Sequence, residues 1–492
     1  MESECALMKP QNLLFLFSDQ HSKRALGCYG HPLVKTPNLD ALAARGTRFS
    51  NAYTNSPICV PARAALATGR YVFETGYWDN GKAYEGSVPS WHHRLASLGQ
   101  TTTSIGKLHF RSAQDPTGFS DSQIPMNVVG GVGDLLGCLR DGSAVLNKYR
   151  GYLQEAGAGD STYIQYDHDI TELTVRWLED IREQSQEKPW VLFASLVCPH
   201  PPIISPQSFY DLYPLNDIDW PRQHDASDRP DHPAINDIRQ FLGIPDSLPE
   251  DTVRRSMAAY FGLCSYLDNN VGKILQALER NGLSDNTRVL YSSDHGEANG
   301  DRGIWGKSNM YEESVGVPMI LVGDGVPAGQ VIETPVSHVD CFPTITDCVG
   351  LDRLDEDDGL RGRSLFDIAG GAEPERIAFS EFHAAGSRTG VFMLRQGDYK
   401  YVHYVDVDYP DTLFDLSSDP DEYRNLVEEA AYREVRATFQ QQLAQLCDPA
   451  FVNAQARGDQ LARIAAAGGR QAVLNGGSFG YTPAPGETPV YS

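Results

Sequence analysis

Four short apolar runs, each closing on polar or ionisable residues, constrain the fold of this chain more than any other feature. Residues 13–18 lead into Asp19-Gln20, and residues 101–106 into Lys107-Leu108-His109. Residues 190–197 lead into Cys198-Pro199-His200-Pro201, and residues 288–293 into Asp294-His295-Gly296. Short apolar runs alternating with helical stretches predict an α/β fold, a mostly parallel sheet flanked by helices on both faces. In open sheets of this kind ligands bind outside the carboxyl ends of the strands. Asp19, Gln20, Lys107, His109, His200, Asp294 and His295 are therefore expected to converge on one site.

A second constraint is local. Cys59-Val60-Pro61-Ala62-Arg63 runs straight into Ala64-Ala65-Leu66-Ala67-Thr68-Gly69-Arg70. Pro61 has its φ preset and lacks an N–H that a first helical turn could not use, the alanine run favours helix, and Gly69 supplies a stop. Cys59 is thus expected at or just before a helix N-terminus, where unpaired N–H groups and the helix dipole favour an anion. Arg63, four residues on, can lean back toward residue 59 and hold an alkoxide or oxyanion.

The 492 residues, 41% of them hydrophobic, suffice for one large domain and a smaller one. A formal charge of −24 argues against nucleic acid or an anionic membrane as partner, so a small anionic substrate must be drawn in by a local positive pocket. Residues 1–11 carry Glu2, Glu4 and Lys9, and residues 13–17 are too short for a signal core or a membrane span, which predicts a soluble cytoplasmic protein. The nine cysteines are odd in number and scattered, with no C-x-x-C pair, so neither a disulfide framework nor a zinc site is expected.

Residues 1–374 read as the catalytic α/β domain, and residues 375–457 as a smaller C-terminal α+β domain. In the first, a long helix over residues 251–282 starts at Asp251 and stops at Asn281-Gly282, while Gly130-Gly131-Val132-Gly133 reads as a loop. In the second, strands at 391–394 and 400–404 flank Gly397-Asp398, and a helix covers 428–446. Residues 458–492, rich in Ala, Gly and Pro, are expected either to be disordered or to form an arm laid on another subunit of an oligomer, with Phe479, Tyr481 and Tyr491 as anchors. Tyr77, Trp78, Trp91, His92 and His93 read mainly as packing residues.

The stretch from Cys59 to Arg70 resembles the sulfatase signature. Ser293-Asp294-His295-Gly296-Glu297, Gly300-Asp301-Arg302-Gly303-Ile304-Trp305-Gly306-Lys307 and Tyr311-Glu312-Glu313-Ser314-Val315-Gly316-Val317-Pro318 are similar to the block that follows the metal site in sulfatases and bacterial phosphonate monoester hydrolases. Gly106-Lys107-Leu108-His109 and residues 413–425 extend the likeness. The resemblance implies an alkaline-phosphatase-like fold and a formylglycine-dependent hydrolase of sulfate monoesters, arylsulfatase-like. A phosphonate monoester or phosphodiester hydrolase on the same parts, or an enzyme promiscuous for both, is the alternative; a non-catalytic binding protein that keeps Cys59 as a thiol is a third.

Carried over by resemblance, Asp19, Gln20, Asp294 and His295, together with the modified Cys59, bind one divalent metal, calcium or manganese. Cys59 is oxidised to Cα-formylglycine by a formylglycine-generating enzyme. One hydroxyl of its hydrate attacks sulfur or phosphorus, His200 or another cation protonates the leaving alcohol, and His109 deprotonates the second hydroxyl. Lys107 and Lys307 neutralise non-bridging oxygens, and Arg63 steadies the hydrated nucleophile. Asp19-Gln20 stands where many sulfatases show Asp-Asp, and His295 where they often show Asn, choices that look more like the phosphonate monoester hydrolase and choline sulfatase branches. Ala62 replaces a frequent Ser but leaves C-x-P-x-R intact.

Overall fold

Every residue of the first apolar run is buried, and that run forms the middle of the sheet: β1 (Asn12–Asp19) alternates Leu14 and Leu16 toward one core with Leu13, Phe15 and Phe17 toward the other. This computed structural model describes residues 9–146, 148–183 and 188–491. Residues 1–8, on which most of the reading of the N-terminal leader rests, and Cys5 lie outside the described residues.

The sheet continues with β2 (Thr47–Phe49), β3 (Thr102–Lys107), β4 (Asp121–Met126), β5 (Val191–Pro199), β6 (Thr287–Ser293), β7 (Met319–Val322) and β8 (Gln330–Ile332). Their order is β8-β2-β7-β6-β1-β5-β3-β4, and β7 alone runs against its neighbours. The predicted mostly parallel sheet is therefore present, with β1 hydrogen-bonded to β5 on one side and β6 on the other. Two-sided burial sets the register, because a slip by one residue would exchange the two leucine- and phenylalanine-bearing faces.

The helix Glu250–Arg280 packs Leu263, Leu267, Val271 and Ile274 on the Leu14/Leu16 face. It begins after Pro249, which fixes its own φ and caps the turn from outside, so Asp251 lies inside the first turn and not at its cap. The helix Cys59–Thr68 lies on the opposite face, with Ala64, Leu66 and Ala67 in the same core as Phe15 and Phe17. Gly69 ends it in the left-handed conformation, φ 63°.

The smaller domain is a four-stranded antiparallel sheet, β9 (Ala378–Phe382), β10 (Val391–Gln396), β11 (Tyr399–Tyr404) and β12 (Thr412–Asp415), in that order. Its helix starts at Arg433, five residues later than the pattern suggested, after a short 3-10 turn at Ala430–Tyr432. A buried charge network joins the two domains: Lys400 contacts Glu312 at 3.1 Å and also pairs with Glu422, while Lys23 reaches Glu312 at 2.7 Å.

The tail differs from expectation. The helix Pro449–Ala466 crosses the expected boundary at residue 458, and the helix Arg470–Gly476 follows it. Asp79, fully buried, holds the first of these through Gln460 and Arg463, each at 2.8 Å. Residues 478–482 then pack on their own chain, against the carboxyl ends of β3 and β5. Phe479 is buried there, Tyr481 stacks edge-on with Tyr163, and Tyr491 stays half exposed.

Candidate active site

Strand ends bring the expected residues together. Ser18 and Ser293 are register partners in β1 and β6, so Asp19 and Asp294, one step beyond, leave adjacent strands side by side. The helix that starts at Cys59 points its N-terminus at this mouth. Ligand atoms of Asp19, Cys59, Asp294 and His295 all lie within 4.8 Å of one another, and all four residues are buried.

Each carboxylate divides its work. The Oδ1 atoms face the cluster: Asp19 Oδ1 lies 3.8 Å and Asp294 Oδ1 3.5 Å from His295 Nε2. The Oδ2 atoms face cations: Asp19 Oδ2 meets Lys107 Nζ at 2.6 Å and Arg63 at 3.3 Å, and Asp294 Oδ2 meets Arg63 Nε at 2.9 Å. His295 Nδ1 sits 3.0 Å from the Gly296 carbonyl, which fixes the tautomer with its Nε2 lone pair aimed inward. Two carboxylate oxygens and one imidazole nitrogen converging without a second thiolate suit a divalent cation that accepts mixed O/N ligands. Burial disfavours the charge on Asp19, yet Lys107 and Arg63 outweigh it and hold its carboxyl well below the usual range.

Gln20 follows with φ 67°, a left-handed backbone that costs a non-glycine residue about 1 kcal/mol or more and gathers at functional sites. Its Oε1 accepts from Lys307 Nζ at 2.5 Å, and that ammonium also stands 3.5 Å from Cys59 Sγ. His109 is likewise left-handed, φ 58°, so the chain turns sharply two residues beyond Lys107. Both still line the cavity beside Cys59. Lys107 turns to Asp19, whereas His109 Nε2 meets Thr482 Oγ1 at 2.7 Å and its Nδ1 is buried with no partner.

Arg63 does lean toward the mouth, but its donors go elsewhere than to residue 59. Besides the two carboxylates it donates to Lys107 O at 2.7 Å and Ser195 Oγ at 3.0 Å. A planar fork with five N–H groups can span two strand ends, and here it holds the carboxylates of both Asp19 and Asp294. His200 places Nδ1 2.7 Å from the Pro201 carbonyl. Burial and then Lys307 push the His200 pKa well below the ordinary value; burial, Lys107 and Arg63 do the same to His109. Both imidazoles are therefore neutral near pH 7. Burial and Asp19 push the Cys59 thiol up to about 11, against the opposing pull of Lys307 and Lys107.

Three cations, Arg63, Lys107 and Lys307, meet the carboxylates of Asp19, Asp294 and the nearby Glu297, so positive charge is concentrated beside residue 59 without a net excess before any metal is added. On a chain this acidic, that local balance already sets the site apart as a place an anion can approach. The cavity is about 100 Å³ and is walled by Tyr149, Tyr152, Phe241, Phe479 and Tyr481. Tyr163 OH donates to Thr482 O at 2.6 Å and pins the C-terminal wall. Thr482 and Tyr149 carry no spacing signal in the sequence, and neither was singled out from it. Glu297 stands out in the sequence only as the last residue of Ser293-Asp294-His295-Gly296-Glu297. Tyr77, Trp78, Trp91 and His92 are core residues, as expected, and none borders the cavity.

A family model described as sulfatase matches residues 11–351. The chain belongs to the sulfatase family. A second model, the C-terminal part of N-sulphoglucosamine sulphohydrolase, matches residues 300–448. Among curated relatives, a choline-sulfatase of Rhizobium meliloti is 32% identical over 445 residues, covering 87% of this chain and 86% of its own. Human arylsulfatase K is 30% identical over 446 residues, covering 85% and 79%. The solved phosphonate monoester hydrolase of Agrobacterium radiobacter superposes with a TM-score of 0.70 at 25% identity, over 91% of this chain and 96% of that one. Family membership makes the protein a sulfuric ester hydrolase and the fold alkaline-phosphatase-like. Among the described residues, no helix is long and apolar enough to cross a membrane.

Proposed function

We propose that this sulfatase hydrolyses small sulfate monoesters through a formylglycine made from Cys59, with Asp19, Gln20, Asp294 and His295 holding one calcium or manganese ion. The observation that carries the proposal is the cluster of Asp19 Oδ1, Asp294 Oδ1 and His295 Nε2 around Cys59 Sγ at a helix N-terminus. When bound, the divalent ion supplies Lewis-acid polarisation of the ester and of the nucleophile.

The chain's own residues do the rest. Lys107 and Lys307 sit at the mouth, where they can neutralise non-bridging oxygens, and Lys307 is nearest to residue 59. His109, held neutral, presents an unpartnered Nδ1 able to accept a proton from the second hydroxyl of the hydrate. His200 borders the same cavity, but its Nδ1–H goes to the Pro201 carbonyl and burial and Lys307 keep it neutral, so it offers an acceptor there and not the cation that would protonate the leaving alcohol. With its thiol proton held to about pH 11, unmodified Cys59 is a poor nucleophile, which supports conversion over direct thiol chemistry.

The cavity's size favours a compact leaving group over a polymer, in keeping with the small substrate named for the choline-sulfatase relative. Phosphonate monoesters form the second reading, favoured by the superposition on the Agrobacterium enzyme. The proposal includes maturation in the cytoplasm by a formylglycine-generating enzyme.

The mass of the tryptic peptide over residues 49–63, from protein made in its own host, tests it: loss of the thiol in favour of an aldehyde is expected, and only unmodified cysteine would overturn the mechanism. Comparing kcat/KM on an aryl sulfate and an aryl phosphonate ester then decides between the two readings, with phosphonate dominance by orders of magnitude refuting the first.

A further inference from the structure

Glu297 is 5% exposed, lies three residues beyond Asp294, and takes hydrogen bonds from three donors. Its Oε1 accepts from the backbone N–H of Asn299 at 2.7 Å and of Gly306 at 2.6 Å, while Oε2 accepts from Gln20 Nε2. Gln20 is clamped on its other atoms too. Its N–H donates to Asp294 Oδ1 at 3.0 Å, its carbonyl accepts from Tyr260 OH at 2.9 Å, and its Oε1 accepts from Lys307.

The two ends of the Gln20 amide thus face partners of opposite kind. A carboxylate only accepts and an ammonium only donates, so a single orientation of the amide satisfies both. We infer that Glu297 is a positioning residue: it fixes the Gln20 amide so that the oxygen, and not the nitrogen, faces the metal-binding mouth, and through Gly306 it sets the loop that carries Lys307. Partners that orient a ligand are worth about 10–100-fold in metal affinity.

A glutamine at position 297 has one oxygen for three donors. Whichever way that new amide turns, an NH2 group opposes either Gln20 Nε2 or the backbone N–H groups of Asn299 and Gly306. Lys307 alone then directs the Gln20 amide, and its oxygen is held less firmly at the mouth.

This inference rests on the metal site proposed above, and the test separates the two. Metal-stripped full-length protein is titrated calorimetrically with Mn2+ and, in parallel, with Ca2+. If the wild type binds neither ion, the metal site itself is wrong. If it binds, Glu297→Gln should weaken the tighter ion about 10–100-fold, and Gln20→Ala should do so comparably. In the Gln20→Ala background, adding Glu297→Gln should then change little, because Glu297 acts through Gln20. Unchanged affinity in Glu297→Gln, or losses that simply multiply in the double variant, would overturn the inference. Should Glu297→Gln fail to fold, Gln20→Ala alone decides: wild-type affinity in that variant refutes the relay.

Discussion

Replacing Arg63 by methionine separates a residue that holds the site together from one that acts on the reacting group. Arg63 is 2% exposed and its guanidinium bridges Asp19 Oδ2 at 3.3 Å and Asp294 Oδ2 at 2.9 Å, with further bonds to Lys107 O and Ser195 Oγ. Hydrogen bonds to a charged partner are worth about 1.5–3 kcal/mol each, and breaking a buried ion pair by deleting one partner costs about 3–5 kcal/mol. Lys107 remains on Asp19, so the loss falls mainly on Asp294, and we expect about 3–5 kcal/mol less stability for Arg63→Met without metal. Urea unfolding of metal-stripped wild type and variant measures this directly. Adding Mn2+ at a hundredfold excess over its dissociation constant should return about 2.7 kcal/mol, since the proposed site places the ion on the same carboxylates. A loss below about 1 kcal/mol together with abolished turnover would refute the reasoning and return Arg63 to the role of steadying the nucleophile.

Three further outcomes are expected. His92 is buried with its pKa lowered to about 3 by burial, against about 6.5 in the unfolded chain, so the stability it contributes is present above pH 6.5 and is lost as pH falls toward 3. The loss reaches about 5 kcal/mol at most, and His92→Phe, which keeps the stack on Phe119, should flatten the fall of unfolding free energy in that window by one proton; an unchanged slope would exclude His92 as the acid-sensitive group. Phe479→Ala with Tyr481→Ala should raise kcat/KM for bulky aryl sulfates relative to small ones by about tenfold or more, and an unchanged ratio would show that the C-terminal wall does not select. Lys400→Met strands Glu422 in the interdomain network, while Lys23 still holds Glu312, and should cost about 3–5 kcal/mol in urea unfolding; a value near zero would mean that the network repacks around the gap.

The sheet was legible because its four central strands are buried along their length and each stops at polar or ionisable residues. Asp19, Lys107, His200 and Asp294 could be placed from that alone, since a parallel sheet sends its carboxyl ends to one edge. Backbone conformation was not legible. Nothing in Leu108-His109 announces the left-handed turn at His109, which is stabilised by partners hundreds of residues away, among them Thr482. The same holds for the tail. Its Ala, Gly and Pro content resembles that of a disordered segment, but Asp79, Asp134 and Tyr163 supply the partners that order it, and those contacts have no local pattern. Arg63 was placed correctly by its helical spacing and differently in its contacts, because spacing fixes where a long side chain starts and the neighbouring carboxylates decide where it ends.

Neighbouring strands of any sheet stand about 4.7–4.9 Å apart. Asp19 and Asp294 leave neighbouring strands in register, so the backbone hydrogen-bond ladder sets the separation of their main chains. The proposed cation site thus takes two of its ligands from the sheet, while His295 and Cys59 are brought to it by the segment after the strand and by a helix start. Such a site tolerates change in its surrounding loops, which can be lengthened or exchanged to admit other esters, but not a shift of β1 against β6, which would move one carboxylate by a residue and turn it to the opposite face of the sheet.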